Sequence, residues 1–293
     1  MKRFIALLFI AFVSTGAANA TNVLTSIKPI QLISLEITQG VTTPDVLLAS
    51  NASPHDYALR PSDVKRIRRA DLVIWYGQDL EPFLSKVLKG QGQVLTLSEV
   101  PNLSLREFDQ SHHDHDGHDH GSYDPHFWLG YQPTLQVAEA IASKLSEIDP
   151  QHAAQYQANY ASFKQRLTAQ QQSIKQQLEP VQQRGYYVFH DAYGYFEQDF
   201  SLKHLGAFTI SPDRKPGAKT LISIRRALSS NEVYCLFTEP QFTPAVVKSV
   251  TRGSNIPMGV LDPIGSDINA QAGGYFAFKQ VMADSFAQCL LGK

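Results

Sequence analysis

Cysteine is scarce in this chain: Cys235 and Cys289 are the only two among 293 residues. Cysteine-type zinc sites use closely spaced thiolate pairs, so two residues this far apart exclude such a centre. Charge of one sign is lacking as well. The chain carries 26 Lys and Arg against 27 Asp and Glu, a formal net charge of -1, without the basic stripe that tracks phosphates. Its densest cationic stretch, Lys65, Arg66, Arg68 and Arg69, reads as one solvated helix face, so no nucleic acid is expected as a partner. Long apolar runs are missing beyond Val13, which leaves no candidate for a membrane-spanning helix downstream.

The one apolar run, Phe4 to Val13, follows Lys2 and Arg3 and precedes Ala18-Asn19-Ala20. A basic start, an apolar core of about ten residues and small residues at a cleavage position make an export signal, and the core is too short to span a bilayer. Residues 1–20 are therefore expected to be removed, leaving a mature chain that begins near Thr21. No cysteine stands at the cleavage point, so the product is expected to be released and not membrane-anchored. In an oxidising compartment Cys235 and Cys289 most simply form one disulfide, with two buried free thiols as the alternative. A bridge would staple the last helix, around Tyr275 to Leu290, to the strand containing Cys235, and would stabilise the fold by about 4 kcal/mol.

Hydrophobic residues make up 43% of the chain, and roughly 270 mature residues suffice for two modest domains. The first part alternates strand and helix signals. Asn22 to Ser26 reads as a strand, Gln31 to Thr38 as a helix closed by Gly40, and Asp45 to Ala49 as extended chain. Ser62 is expected to cap a helix carrying Val64, Ile67 and Ala70; Leu72 to Tyr76 follows as a buried strand, Glu81 to Leu88 as a helix ended by Gly90, and Val94 to Leu97 as another strand. From Asp149-Pro150 no glycine occurs until Gly185, which predicts one helix of about 34 residues, near 50 Å long, broken in its last turn by Pro180. Apolar or aromatic residues at 156, 160, 163, 167, 174 and 178 give it a buried stripe. Strand-helix alternation then resumes with Tyr186 to Phe189, a helix from Tyr193, Ala207 to Ile210, a helix around Leu221 to Ser229, Val233 to Thr238 and Met258 to Leu261. The expected fold is α/β, with two lobes of parallel sheet flanked by helices and joined by one long rigid helix. The boundaries fall at 21–148 for the N-terminal lobe, 149–183 for the linking helix and 184–293 for the C-terminal lobe.

Half of the histidines, His112, His113, His115, His118 and His120, crowd into nine residues interleaved with Asp114, Asp116 and Asp119. Imidazole and carboxylate at this spacing suit borderline divalent ions, so the tract at 109–123 is expected to be a solvated auxiliary loop that collects metal weakly. A tight site must lie elsewhere. In an open parallel sheet, ligands bind outside the carboxyl ends of strands. His55 lies in the loop after the strand ending near Ala49, His190 directly follows Tyr187-Val188-Phe189, and Asp262 directly follows Gly259-Val260-Leu261; His126 follows the histidine-rich loop. Each alone reads as a hydrogen-bonded structural side chain. Together they read as a ligand set, with Glu239 and Asp191 near the same strand ends as candidates to orient ligand N–H groups or to cap helices.

Ser53-Pro54-His55-Asp56-Tyr57, Arg60-Pro61-Ser62-Asp63, Asp124-Pro125-His126-Phe127-Trp128, Phe189-His190-Asp191-Ala192-Tyr193-Gly194-Tyr195, Thr238-Glu239-Pro240-Gln241 and Leu261-Asp262-Pro263 closely resemble the motifs of the zinc-importer solute-binding proteins, the ZnuA type. The resemblance covers essentially the whole mature chain. It implies a periplasmic receptor of two α/β lobes joined by a long helix, acting as a monomer that binds Zn2+ and passes it to the membrane permease of an ABC importer. The ligands it implies are His55, His126 and His190. Part of that group has glutamate just before the first ligand histidine, where this chain has Pro54, so Asp262 or water is left to complete a tetrahedron.

Three neutral nitrogen donors suit tetrahedral zinc and argue against manganese, which prefers more oxygen ligands; they leave copper and nickel open. Three histidines and a water are also the first shell of catalytic zinc, and a zinc-dependent hydrolase is the rival reading. No nucleophile motif or His-Glu-x-x-His helix accompanies them. An adhesin holding an extracellular partner through the histidine loop would need surface anchorage, for which the sequence shows no signal.

Overall fold

The computed structural model describes residues 21–49, 52–107, 123–209, 217–229, 232–242 and 245–292. The expected export signal at 1–20 and the histidines from His112 to His120 lie outside the described residues. The first half runs β1 (Val23–Thr25), α1 (Lys28–Ile37), β2 (Asp45–Val46), α2 (Pro61–Arg69), β3 (Leu72–Trp75) and β4 (Val94–Thr96). Two long helices follow, α3 (Tyr131–Ile148) and α4 (Ala153–Leu178). The second half runs β5 (Gly185–His190), α5 (Gly194–Phe200), β6 (His204–Thr209), α6 (Ala218–Ala227), β7 (Val233–Thr238), α7 (Ala245–Val250), β8 (Met258–Val260) and α8 (Gly274–Leu291).

Each half forms a four-stranded parallel sheet, in the orders β2-β1-β3-β4 and β6-β5-β7-β8. The second order repeats the first. β3 and β5 are buried along their full length, as expected of central parallel strands covered by helices on both faces. In such an order the direction in which strands are added reverses between the first and third strand of each half. A crevice opens there, at the carboxyl ends of β1 and β3 and of β5 and β7.

α4 spans 26 residues, about 39 Å at 1.5 Å per residue, shorter than the single helix expected over 149–183. The prolines account for the difference. Pro150 and Pro180 sit in separate 3-10 turns, Pro150–His152 and Glu179–Val181, because proline lacks the N–H that would continue the α ladder. Tyr156, Phe163, Leu167, Ile174 and Leu178 are buried, and the helix packs against α1 and α3 at one end and α8 at the other. One hydrophobic cluster therefore runs through both halves, from Val23 and Ile74 past Phe163 and Leu178 to Tyr186, Phe237 and Phe286.

Three local expectations change. α2 starts at Pro61 and not after Ser62: the Asp63 carboxylate accepts the Arg60 N–H at 2.9 Å and closes the turn. Glu81 to Leu88 forms only a 3-10 turn at Pro82–Leu84, because the Glu81 carboxylate folds back to accept the Tyr76 N–H. α3, with Leu135, Ala138, Ile141, Ala142 and Leu145 buried, was not among the expected elements. Cys235 and Cys289 form a disulfide, with Cα atoms 5.9 Å apart, that ties β7 to α8.

Candidate metal centre

His190 is the last residue of β5, at the point where the second sheet reverses order. Its Nδ1 meets both oxygens of Glu239, at 2.7 and 2.9 Å, and Glu239 follows the adjacent strand β7. Tyr193 donates its hydroxyl to the same carboxylate at 3.1 Å. His126 precedes a 3-10 turn, Phe127–Leu129, that leads into α3. Its Nδ1 lies 2.8 Å from Asp124 Oδ1, which also accepts the His126 backbone N–H at 3.0 Å. Arg106 holds the other Asp124 oxygen at 3.2 Å. His55 stands on the turn between β2 and α2.

These three histidines converge. One nitrogen from each lies within 4.8 Å of the other two, and theirs is the only such cluster of potential metal ligands among the described residues. His126 and His190 are 4% and 3% exposed, while His55 is partly exposed. With both Nδ1 atoms engaged by carboxylates, the Nε2 atoms of His126 and His190 face each other at 3.4 Å. Two zinc–nitrogen bonds of about 2.0–2.1 Å at the tetrahedral angle would hold their nitrogens roughly 3.3–3.4 Å apart. The donor set and its spacing fit a tetrahedral ion.

Electrostatics divides the two rings. Burial, reinforced by the His190 charge, pushes His126 well below the ordinary histidine range. Burial also works against a charged His190, but the Glu239 carboxylate outweighs it and raises that ring. Metal needs the lone pair of each Nε2, so its binding competes with protons for both rings. Burial likewise pushes the Asp124 carboxyl up to about 7, against the pull of the His126 N–H and Arg106.

The cavity at the cluster is small, about 20 Å³, and is lined by His55, His126, His190, Trp128, Phe242 and Ile264 among others. Such a space holds one water-sized guest. Asp262 is not in the cluster. Its Oδ1 accepts from Gln241 at 2.7 Å and from the Ile264 N–H at 3.1 Å, and its Oδ2 accepts from the Ser266 N–H, so it organises the loop after β8. Of the two candidate orienting acids, Glu239 reaches the His190 ring. Asp191 acts through its charge on His126 and His190 and also on His204. The role of Asp124 went unread in the sequence, although an acid two positions before a candidate ligand is a usable signal.

The family of periplasmic zinc-uptake complex component A, ZnuA, matches residues 23–289. The chain belongs to that family. It is 42% identical over 288 residues to the high-affinity zinc uptake system protein ZnuA of Yersinia pestis, covering 92% of this chain and 91% of that protein. The protein of the same name from Haemophilus ducreyi is 41% identical over 295 residues, covering 94% and 95%. A crystal structure of ZnuA superposes with a TM-score of 0.77 at 25% identity, covering 92% of this chain and all of that one. The laminin-binding protein of Streptococcus agalactiae shares the fold, with a TM-score of 0.77 at 22% identity and 92% and 99% of the two chains covered. Family members of this kind serve transport as periplasmic solute-binding components, and no helix among the described residues is long and apolar enough to cross a membrane.

Proposed function

We propose that this chain is the exported zinc receptor of an ABC importer, binding one Zn2+ through His55, His126 and His190 and passing it to the membrane permease as a monomer. The observation that carries this reading is the pair of buried Nε2 atoms 3.4 Å apart, each ring held from behind by a carboxylate. Carboxylate-backed imidazoles are pre-oriented and more basic ligands. With Asp262 engaged in its own loop, a water or hydroxide fills the fourth position. In this reading residues 1–20 are a cleaved signal, 21–148 and 184–293 are the two lobes and 149–183 links them.

Receptor is favoured over hydrolase by the cavity. About 20 Å³ holds one small guest the size of an ion or a water, not an ester or peptide. Both Glu239 oxygens are engaged by His190 Nδ1, and one also accepts the Tyr193 hydroxyl, which disfavours a role as a base. The test is titration of metal-stripped mature protein with zinc, manganese, copper and nickel, followed by elemental analysis. We expect one tight zinc per chain and much weaker manganese. Loss of tight zinc in His55→Ala, His126→Ala and His190→Ala supports the ligand set; undiminished binding in any of the three removes that residue from it.

We further propose that His112, His113, His115, His118 and His120 collect metal for this site. Deleting residues 109–123 should leave one tight zinc per protein and slow its capture when zinc is scarce. Stopped-flow uptake with a chromophoric chelator as competitor reads both quantities.

A further inference from the structure

His126 and His190 come from opposite halves of the sequence, yet the segment bearing His126 is fastened to the second half. Tyr195 on α5 donates its hydroxyl to the Asp124 carbonyl at 2.8 Å and accepts the Arg106 N–H at 2.9 Å. The Trp128 indole donates to the Pro263 carbonyl at 2.6 Å. Tyr275 on α8 donates to the Trp128 carbonyl at 2.6 Å, and one turn later Lys279 donates to the Leu129 carbonyl. The Tyr131 N–H donates to Asp199 on α5 at 2.7 Å. A Cβ on Gly130 would stand 2.9 Å from the Pro133 side chain and 3.0 Å from that of Tyr195, so glycine lets this turn press against the Tyr195 side chain. Tyr275 and Lys279 are buried at 0% and 1% exposure. The Lys279 ammonium sits 4.7 Å from the Phe196 ring and is attracted by Asp199, a cationic anchor in a nearly apolar setting.

Resting on the zinc reading above, we infer that Tyr275 and Lys279 of α8 are positioning residues that lock the His126 turn to the body carrying His190. The two histidines then form a preset pair, and His55 joins from the other lobe. A buried hydrogen bond to a main-chain carbonyl holds a turn within a few tenths of an ångström, and misplacing a ligand nitrogen by more than that weakens its metal bond. The two residues touch no metal. They act through Trp128 and Leu129, the neighbours that aim His126.

Tyr275→Phe deletes one hydroxyl and keeps the ring. Zinc dissociation from the full mature protein is measured by chelator competition, beside Tyr156→Phe as control. Tyr156 is also fully buried and gives its hydroxyl to Asp149, which bonds His152 and none of His55, His126 and His190. We expect Tyr275→Phe to speed zinc release about tenfold and Tyr156→Phe to leave it unchanged, both lowering the melting temperature of the zinc-free protein. In a His55→Ala background, the weak binding left to the pair should fall again on adding Tyr275→Phe. Equal release rates for wild type, Tyr275→Phe and Tyr156→Phe would overturn the inference, while a wild type that binds no zinc would overturn the functional reading itself. If Tyr275→Phe fails to fold, Lys279→Met takes its place with the same two outcomes.

Discussion

An imidazole has two nitrogens, and what one of them does decides how well the other binds. Glu239 grips His190 from behind with both oxygens, and replacing it by glutamine removes the negative charge while keeping the shape. We expect Glu239→Gln to weaken zinc binding by about 10–100-fold, measured by competition titration, with little change in fold by circular dichroism. A second carboxylate–histidine pair has a structural effect. Burial opposes charge on His204, but Glu197, 3.2 Å away, and Asp191 raise it to about 9. A folded-state value above the unfolded one means this contribution to stability is complete below pH 6.5 and lost as pH rises through about 9. It is worth on the order of 3 kcal/mol. Urea unfolding at pH 6 and pH 9.5 should show that loss in the wild type and not in His204→Gln. Among single residues, the sequence made His55, His126 and His190 legible because each follows a strand end or a motif. It hid the work of Asp124, which depends on a turn bringing Nδ1 within 2.8 Å of the carboxylate. It also suggested Asp262 as a ligand, since a side chain after a strand looks the same in sequence whether it points into the crevice or caps its own loop.

Among the elements, strands were read most faithfully, since central parallel strands are continuous apolar runs such as Leu72–Trp75. Helices without punctuation were harder. α3 begins after Gly130 with no side-chain cap and no acid in its first turn, so nothing marks its start, whereas Asp149-Pro150 advertises a helix that in fact opens with a 3-10 turn. Pairing order was beyond reach, because the alternation fixes which strands exist and not which are neighbours. The cysteine pair was legible from compartment and number. The bridge closes a 54-residue separation between β7 and α8. The Cys235→Ser, Cys289→Ser double variant should lose about 4 kcal/mol, read as a lower denaturant midpoint for the zinc-free protein.

For the whole molecule, the alternating pattern foretold two sheets and a helix between them, and the sheets repeat one another's strand order. The division into lobes is less sharp where side chains meet. The apolar cluster that begins under β1 continues without interruption along α4 and ends among Tyr186, Phe237 and Phe286. Neither half can shed its neighbour without exposing the flank of α4. Heated without metal, the protein should therefore melt as one cooperative unit, with calorimetric and van't Hoff enthalpies equal. Two separate heat-absorption peaks would mean that the halves come apart independently.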